Sequence, residues 1–125
     1  MIKDSIYNFL KNDSGVSSLV GTRIYPTFLP QDVTLPAITY TRISATNDLI
    51  AHRVERFQIT AFAKTNKECE MIKEALNSCL NRFKGDLEGL PMKFVSLVGI
   101  YEMFEPDTKI HSIMSDYKFN YITSE

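Results

Sequence analysis

The chain has 125 residues, of which 44% are hydrophobic and 23% are charged, and its formal net charge is −1. This length and balance exclude global disorder and predict a single domain over residues 1–125 with a core of its own. The 14 basic and 15 acidic side chains lack the basic excess with which proteins grip duplex DNA.

Two short helices are predicted at the start of the chain. The apolar residues of the first recur at helical spacing, which indicates an amphipathic helix over residues 3–11: Ile2, Ile6, Phe9 and Leu10. Asp13 or Ser14 then caps a second, brief helical turn that Gly21 ends. The charges within this segment exclude a signal peptide, and no apolar run is long enough for a membrane helix. We therefore expect a protein that is made in the cytoplasm.

A proline-bearing arm follows at about residues 24–36, within the stretch GTRIYPTFLPQDVTLP. Proline has no backbone N–H to donate to a sheet, so Pro30 and Pro36 keep this segment out of a central strand. We expect the arm to lie on the surface of the domain or on a neighbouring subunit.

Two strands are predicted after the arm, over residues 37–44 and 53–63, because β-branched and aromatic residues alternate there with polar ones. They would pair as a hairpin with a loop of about eight residues. That loop carries the apolar residues Leu49 and Ile50, for which the domain offers no evident cover.

A long amphipathic helix of about 18 residues is predicted next. Thr65 and Glu68 form a T-x-x-E capping box at its start, and Gly85 ends it. One apolar stripe runs behind the cap: Cys69, Ile72, Leu76, Cys79, Leu80 and Phe83. The two cysteines are ten residues apart on this helix, about 15 Å along its axis, so a disulfide is excluded and both thiols are expected to be reduced.

The C-terminal third predicts two more strands, over residues 92–105 with a bend at Gly99, and over residues 109–122. Tyr117, Phe119 and Tyr121 alternate on one face of the last strand. The order predicts an α+β fold with a mainly antiparallel four-stranded sheet (β-β-α-β-β), one long helix packed on a face, and an N-terminal helix.

The sequence contains no recognisable catalytic, cofactor or metal motif. His52 and His111 have no partner at metal-ligand spacing, and there is no glycine-rich phosphate loop. The cysteines lie on the apolar stripe, where a thiolate is disfavoured, and Glu70 and Glu74 belong to a solvated helix face. We therefore predict no catalytic residue, no cofactor and no metal, and a protein that is not an enzyme.

Surplus apolar surface points to assembly instead. The strand over residues 53–63 is apolar on both sides, and one or two helices cannot cover both faces of the sheet. The sequence therefore favours a subunit of a larger particle.

The segment order and two motifs resemble the tail-completion proteins (tail-terminator or tail-to-head joining proteins) of long-tailed phages and prophages. The pattern L-V-G-x-R-I-Y-P … L-P-x-I-x-Y-x-R-I-S is matched by Leu19, Val20, Gly21, Arg23, Ile24, Tyr25, Pro26, Leu35, Pro36, Ile38, Tyr40, Arg42, Ile43 and Ser44. The acidic corner E-P-D-T before the last strand is also similar.

The resemblance implies a structural virion protein that caps the tail tube as a ring of about six copies and joins tail to head. Its partners would be further copies of itself, the tail tube protein and a head-completion or neck protein. DNA would pass through the ring without specific binding, and no membrane would be involved. The expected subunit interface comprises Tyr25, Phe28, Leu29, Leu49, Ile50, Arg53 and Arg56.

Three alternatives remain open at this point. One is another neck or minor tail component of similar fold. A small cytosolic ligand-binding domain or enzyme would need a pocket with a buried titratable group, for which the sequence has no candidate. A nucleic-acid-binding regulator would need a basic groove beside the aromatic strand YKFNY.

Overall fold

A computed structural model describes residues 1–47 and 52–122. Its helices and strands are α1 (Ile2–Asn12), α2 (Ser14–Val20), β1 (Ile24–Pro26), β2 (Ala37–Asn47), β3 (His52–Ala63), α3 (Asn66–Leu80), β4 (Gly85–Leu87), β5 (Leu90–Glu105) and β6 (Ile110–Ile122). The predicted α+β class is confirmed.

The sheet has six strands, in the order β1-β2-β3-β6-β5-β4, and it is curled. The prediction of four strands is therefore wrong. The four long strands are those predicted, and their pairings are all antiparallel. The two additional strands, β1 and β4, have three residues each and lie at the edges, so they are too short to produce a periodic pattern.

The arm begins as an edge strand of the sheet, so only its first residues join the ladder. Ile24 to Pro26 pair in parallel with residues 38–40 of β2. Pro26 ends this edge strand, a position in which its missing N–H breaks no ladder. The rest of the arm forms no helix or strand, and Arg23 anchors its far end by donating from Nε to the carbonyl of Pro36 at 2.8 Å.

The β2–β3 hairpin is longer than predicted. Its strands reach Asn47 and resume at His52, with a register shift between Arg42 and Ser44. The predicted loop of about eight residues is therefore too long. Its two apolar residues, Leu49 and Ile50, lie outside the described residues.

The helix starts follow from side-chain caps. Asp13 Oδ2 accepts the N–H of Val16 at 3.0 Å, which caps α2, and Gly21 ends this helix with a φ of 61°. Thr65 Oγ1 accepts the N–H of Glu68 at 3.2 Å, as the capping box predicts. The Glu68 carboxylate accepts from the Thr65 hydroxyl, also at 3.2 Å, instead of from a backbone N–H.

The third helix ends at Leu80, earlier than the predicted end at Gly85, which instead starts β4. The cause is that the residues after Leu80 form hydrogen bonds with the edge of β5 instead of continuing the helix. Asn81 Oδ1 accepts the N–H of Leu97 at 3.0 Å, and the backbone of the next two residues bonds Val95 at 2.7 and 2.9 Å.

All three helices take part in a core on one face of the sheet, which we call the inner face. Its central residues are Ile6, Leu10, Val16, Ile38, Phe57, Ile59, Leu76, Leu80, Val95, Tyr117 and Phe119. The rings of Phe57 and Phe119 meet edge to face at 5.8 Å between centroids. Tyr117, Phe119 and Tyr121 are all buried, which confirms their predicted common face.

Candidate assembly surfaces

The described residues contain no group of three or more histidine, cysteine or acidic side chains that is able to hold a metal ion. Both cysteines are free, Cys69 buried and Cys79 half-buried. Burial raises the pKa of the Cys69 thiol to about 11 and that of Cys79 to about 12. A nucleophilic thiolate is therefore strongly disfavoured at both positions.

The distal segment of β5, residues 98–105, exposes a run of large apolar side chains. They are Val98, Ile100, Tyr101, Met103 and Phe104, with exposed fractions from 43% to 63%. The cause is the layout of the sheet. The short β4 pairs with residues 90–92 of β5, and the hydrogen bonds from residues 81–83, just after α3, reach β5 at Val95 and Leu97. The distal segment lies beyond both of these neighbours. These side chains lie on both faces of the strand, and such an accumulation of exposed large apolar residues marks an interaction site.

The backbone edge of this distal segment is also open. Residues 99–105 pair with β6 on one side, and no described strand pairs with them on the other. An apolar, unprotected strand edge is a template for association with another chain.

The predicted arm residues differ in exposure. Phe28 is 74% exposed, whereas Tyr25 and Leu29 are half-buried. Leu29 lines a groove of about 410 Å³ on the outer face of the sheet, together with Met103 and Met114. The arm thus lies partly against its own sheet, and the groove connects it with the distal segment of β5.

The two predicted arginines lie on opposite faces of β3. Arg56, on the outer face, donates from Nη2 to Asp116 at 2.8 Å, and Asp116 also accepts from Gln58 at 3.1 Å. Asp116 is 4% exposed, so this ion pair satisfies a buried charge within the subunit. Arg53 lies on the inner face, opposite Tyr121, and its Nε is buried with no acceptor among the described residues.

A buried polar cluster lies beside Arg53. Glu55 is 3% exposed and accepts hydrogen bonds from Arg42 Nε at 2.7 Å and from the Tyr121 hydroxyl. Burial, followed by this bond to Glu55, raises the pKa of Tyr121 to about 12. The Arg42 guanidinium also lies 5.4 Å from the ring centroid of Phe57.

This cluster forms the floor of a cavity of about 610 Å³ at one end of the sheet, which we call the basic cavity. Its lining residues are Met1, Ile2, Lys3, Arg42, Arg53, Glu55, Gly89, Leu90, Pro91, Tyr121 and Ile122. Neither Lys3 nor Arg53 forms an ion pair with a described residue. With Arg42 matched by Glu55, the cavity keeps an excess of positive charge.

Sequence reasoning missed both of these surfaces. The run LVGIYEMF in β5 could have indicated the first surface, because it is apolar except at Gly99 and Glu102 and has no helix after it to provide cover. The basic cavity had no sequence pattern, since it joins residues from α1, β2, β3, β5 and β6.

None of the described helices has the length and apolarity needed to cross a membrane.

Comparisons with known proteins point in one direction. The model of the family "Tail completion protein gp17" matches residues 4–121 of this chain. Among solved structures, a chain from the virion of a native gene transfer agent particle superposes with a TM-score of 0.79. That likeness covers 98% of this chain and 95% of the other at 14% identity, so it demonstrates a shared fold. A comparison with curated protein sequences gives no match.

The family match spans nearly the whole chain, including the arm, all three helices and the apolar strand β5. It agrees with a molecule whose prominent features are surfaces for assembly. The chain belongs to the tail completion protein gp17 family and is a structural protein of the phage tail.

Proposed function

We propose that this protein is a ring subunit that caps the tail tube and joins the tail to the head, without enzymatic activity. About six copies would close the ring. The tail tube protein would bind one side of it and a head-completion or neck protein the other, and genome DNA would pass through the centre.

The observation that carries the proposal is the exposed apolar segment of β5. Met103 is 63% exposed, and Tyr101 and Phe104 are each 49% exposed, on a strand with an open backbone edge. Leaving such side chains in water costs free energy of about 25 cal/mol per Å² of apolar area, which association recovers. A subunit of a ring covers this surface in its working state.

The arm supports the same proposal. Its prolines reduce the conformational entropy that is lost when the arm orders against a neighbour. Phe28 extends into solvent from this restrained segment, as a side chain that contacts another subunit would. Tyr25, Leu29, Arg53 and Arg56 remain proposed interface residues, and Leu49 and Ile50 remain a predicted second contact.

The charge balance is compatible with a conduit for DNA. A net charge of −1 provides little non-specific attraction for phosphates, so transiting DNA would not be retained.

The test is addition of the purified protein to tail tubes of a matching phage that lack their completion protein. We expect a cap at one end of each tube by electron microscopy, and tubes that then join to heads. Binding along the tube wall, or to heads alone, would instead indicate another neck or minor tail component.

A further inference from the structure

We propose that the basic cavity of one subunit receives the acidic β5–β6 corner of the next, so that copies of this chain associate head to tail. The corner comprises residues 102–109. This inference rests on the proposed ring and identifies the contact that would build it.

The two surfaces have opposite charge. Glu102, Glu105 and Asp107 are exposed on the corner, where Lys109 is the basic side chain, and none of the four has an ion-pair partner among the described residues. The cavity presents Lys3 and Arg53, neither of which has a carboxylate partner within residues 1–47 and 52–122. An approaching carboxylate would pair with the Arg53 guanidinium, whose Nε has no acceptor among the residues that the structure describes.

The apolar parts also correspond. Met103 and Phe104 lie within the corner and are 63% and 49% exposed. The rim of the cavity carries Leu90, Pro91 and the 49% exposed Ile122. A volume of about 610 Å³ lies within the range of cavities that enclose ligands, and it offers room for a few side chains of a turn.

The corner and the basic cavity of one subunit lie at opposite ends of β6, so a contact between them must join two subunits. The corner precedes the first residue of β6, and Ile122 of the cavity is its last. A strand of 13 residues is about 40 Å long, so the corner of a subunit does not reach its own cavity. Two different surfaces at opposite ends form a heterologous contact, which gives a closed ring when the rotation between copies permits it.

Charge reversal tests the pairing. The corner variant carries Glu105→Lys and Asp107→Lys, and the cavity variant carries Lys3→Glu. Association of the wild type and of each variant is measured by sedimentation over a concentration series at low salt. We expect each reversal to weaken association by about tenfold or more, and the combined variant to recover most of that loss.

The matched control reverses Glu70 and Glu74, two acidic residues on the solvent face of α3. It should associate like the wild type. Arg53→Gln is a second cavity variant that removes charge without reversing it, and it should weaken association while leaving the circular dichroism spectrum unchanged. Association of the wild type should also decrease as salt screens the charges.

Three results would overturn the inference: a monomeric wild type at every concentration, reversals without effect, or no recovery in the combined variant. These results are distinct from failure of the proposed function. A ring that forms at tail ends in spite of both reversals would retain the function and refute this contact.

Discussion

The hydroxyl of Tyr121 on β6 donates a hydrogen bond to the carboxylate of Glu55 on the adjacent strand β3. Both side chains are buried on the inner face of the sheet. The same carboxylate accepts from Arg42 on β2, so one buried acid ties three neighbouring strands together. Glu55 is 3% exposed and Tyr121 is 6% exposed, whereas the Arg42 side chain is 41% exposed and retains water.

Replacing Glu55 by alanine should lower the free energy of unfolding by about 1–3 kcal/mol, because the buried Tyr121 hydroxyl loses its acceptor. Glu55→Gln keeps an oxygen acceptor and should lose less. Urea unfolding of the two variants and the wild type measures the difference. An unchanged midpoint for Glu55→Ala would show that the carboxylate contributes nothing to stability.

Alkaline pH should destabilise the fold. The folded-state pKa values of Cys69 (about 11) and Tyr121 (about 12) exceed the ordinary pKa values of these side chains, 9.0 and 10.0. The folded state therefore holds these protons more tightly, and the resulting stability is complete below pH 9 and is lost as the pH rises from there towards 12. Each ionising group contributes a slope of about 1.4 kcal/mol per pH unit.

Urea unfolding at intervals from pH 8 to pH 11 measures this loss. Cys69→Ala removes one of the titrating groups, so it should reduce the steepness between pH 9 and pH 11 whatever its effect on stability at pH 8. A free energy of unfolding that is constant up to pH 11 would contradict the assigned burial of these groups.

The distal segment of β5 should matter for assembly and little for folding. Met103→Asp together with Phe104→Asp should leave the thermal midpoint within a few degrees of the wild type, because Met103 is 63% and Phe104 49% exposed and neither belongs to the core. Ring formation and tube capping should be lost. Met71→Asp is the matched control, since Met71 is 47% exposed on α3, away from the proposed interface, and it should assemble normally.

Leu49→Asp with Ile50→Asp tests the predicted second contact, on residues outside the described part of the chain. We expect a folded protein that does not assemble. Unfolding of this variant, seen by circular dichroism, would instead place the two side chains in a core.

The cap of α3 should be worth about 1 kcal/mol, the usual loss on replacing an N-cap threonine by alanine. Thr65→Ser retains the hydroxyl that accepts the Glu68 N–H and should be close to neutral. Thermal unfolding of Thr65→Ala, Thr65→Ser and the wild type measures this contribution. Equal midpoints for Thr65→Ala and the wild type would show that the cap does not stabilise the fold.

What the sequence predicted correctly depended on local chemistry. The capping residues Asp13 and Thr65 and the alternating strand around Phe119 follow from interactions within a few residues. The errors involve long-range partners. The end of α3 is decided by the pairing of Arg82 and Phe83 with Val95 on another strand, and no local pattern reports such a contact.

The candidate surfaces divide in the same way. Phe28 is exposed on the arm, as expected of an interface residue, but Arg56 is engaged by Asp116, which is 60 residues away in sequence. The basic cavity depends on five separate elements meeting at one end of the sheet. A sequence pattern is able to indicate surplus apolar surface, but it does not give the position of that surface in the assembled fold.

The most direct test of the ring subunit proposal is the absolute mass of the purified protein by light scattering over a concentration series, with negative-stain images of the same samples with and without tail tubes. The proposal predicts closed rings of about six copies with an open channel, in solution or at the tube end. If the contact repeats about every 40 Å, such a ring is about 80 Å across. A 14.3 kDa monomer at every concentration, with tube ends that stay bare, would contradict the proposal.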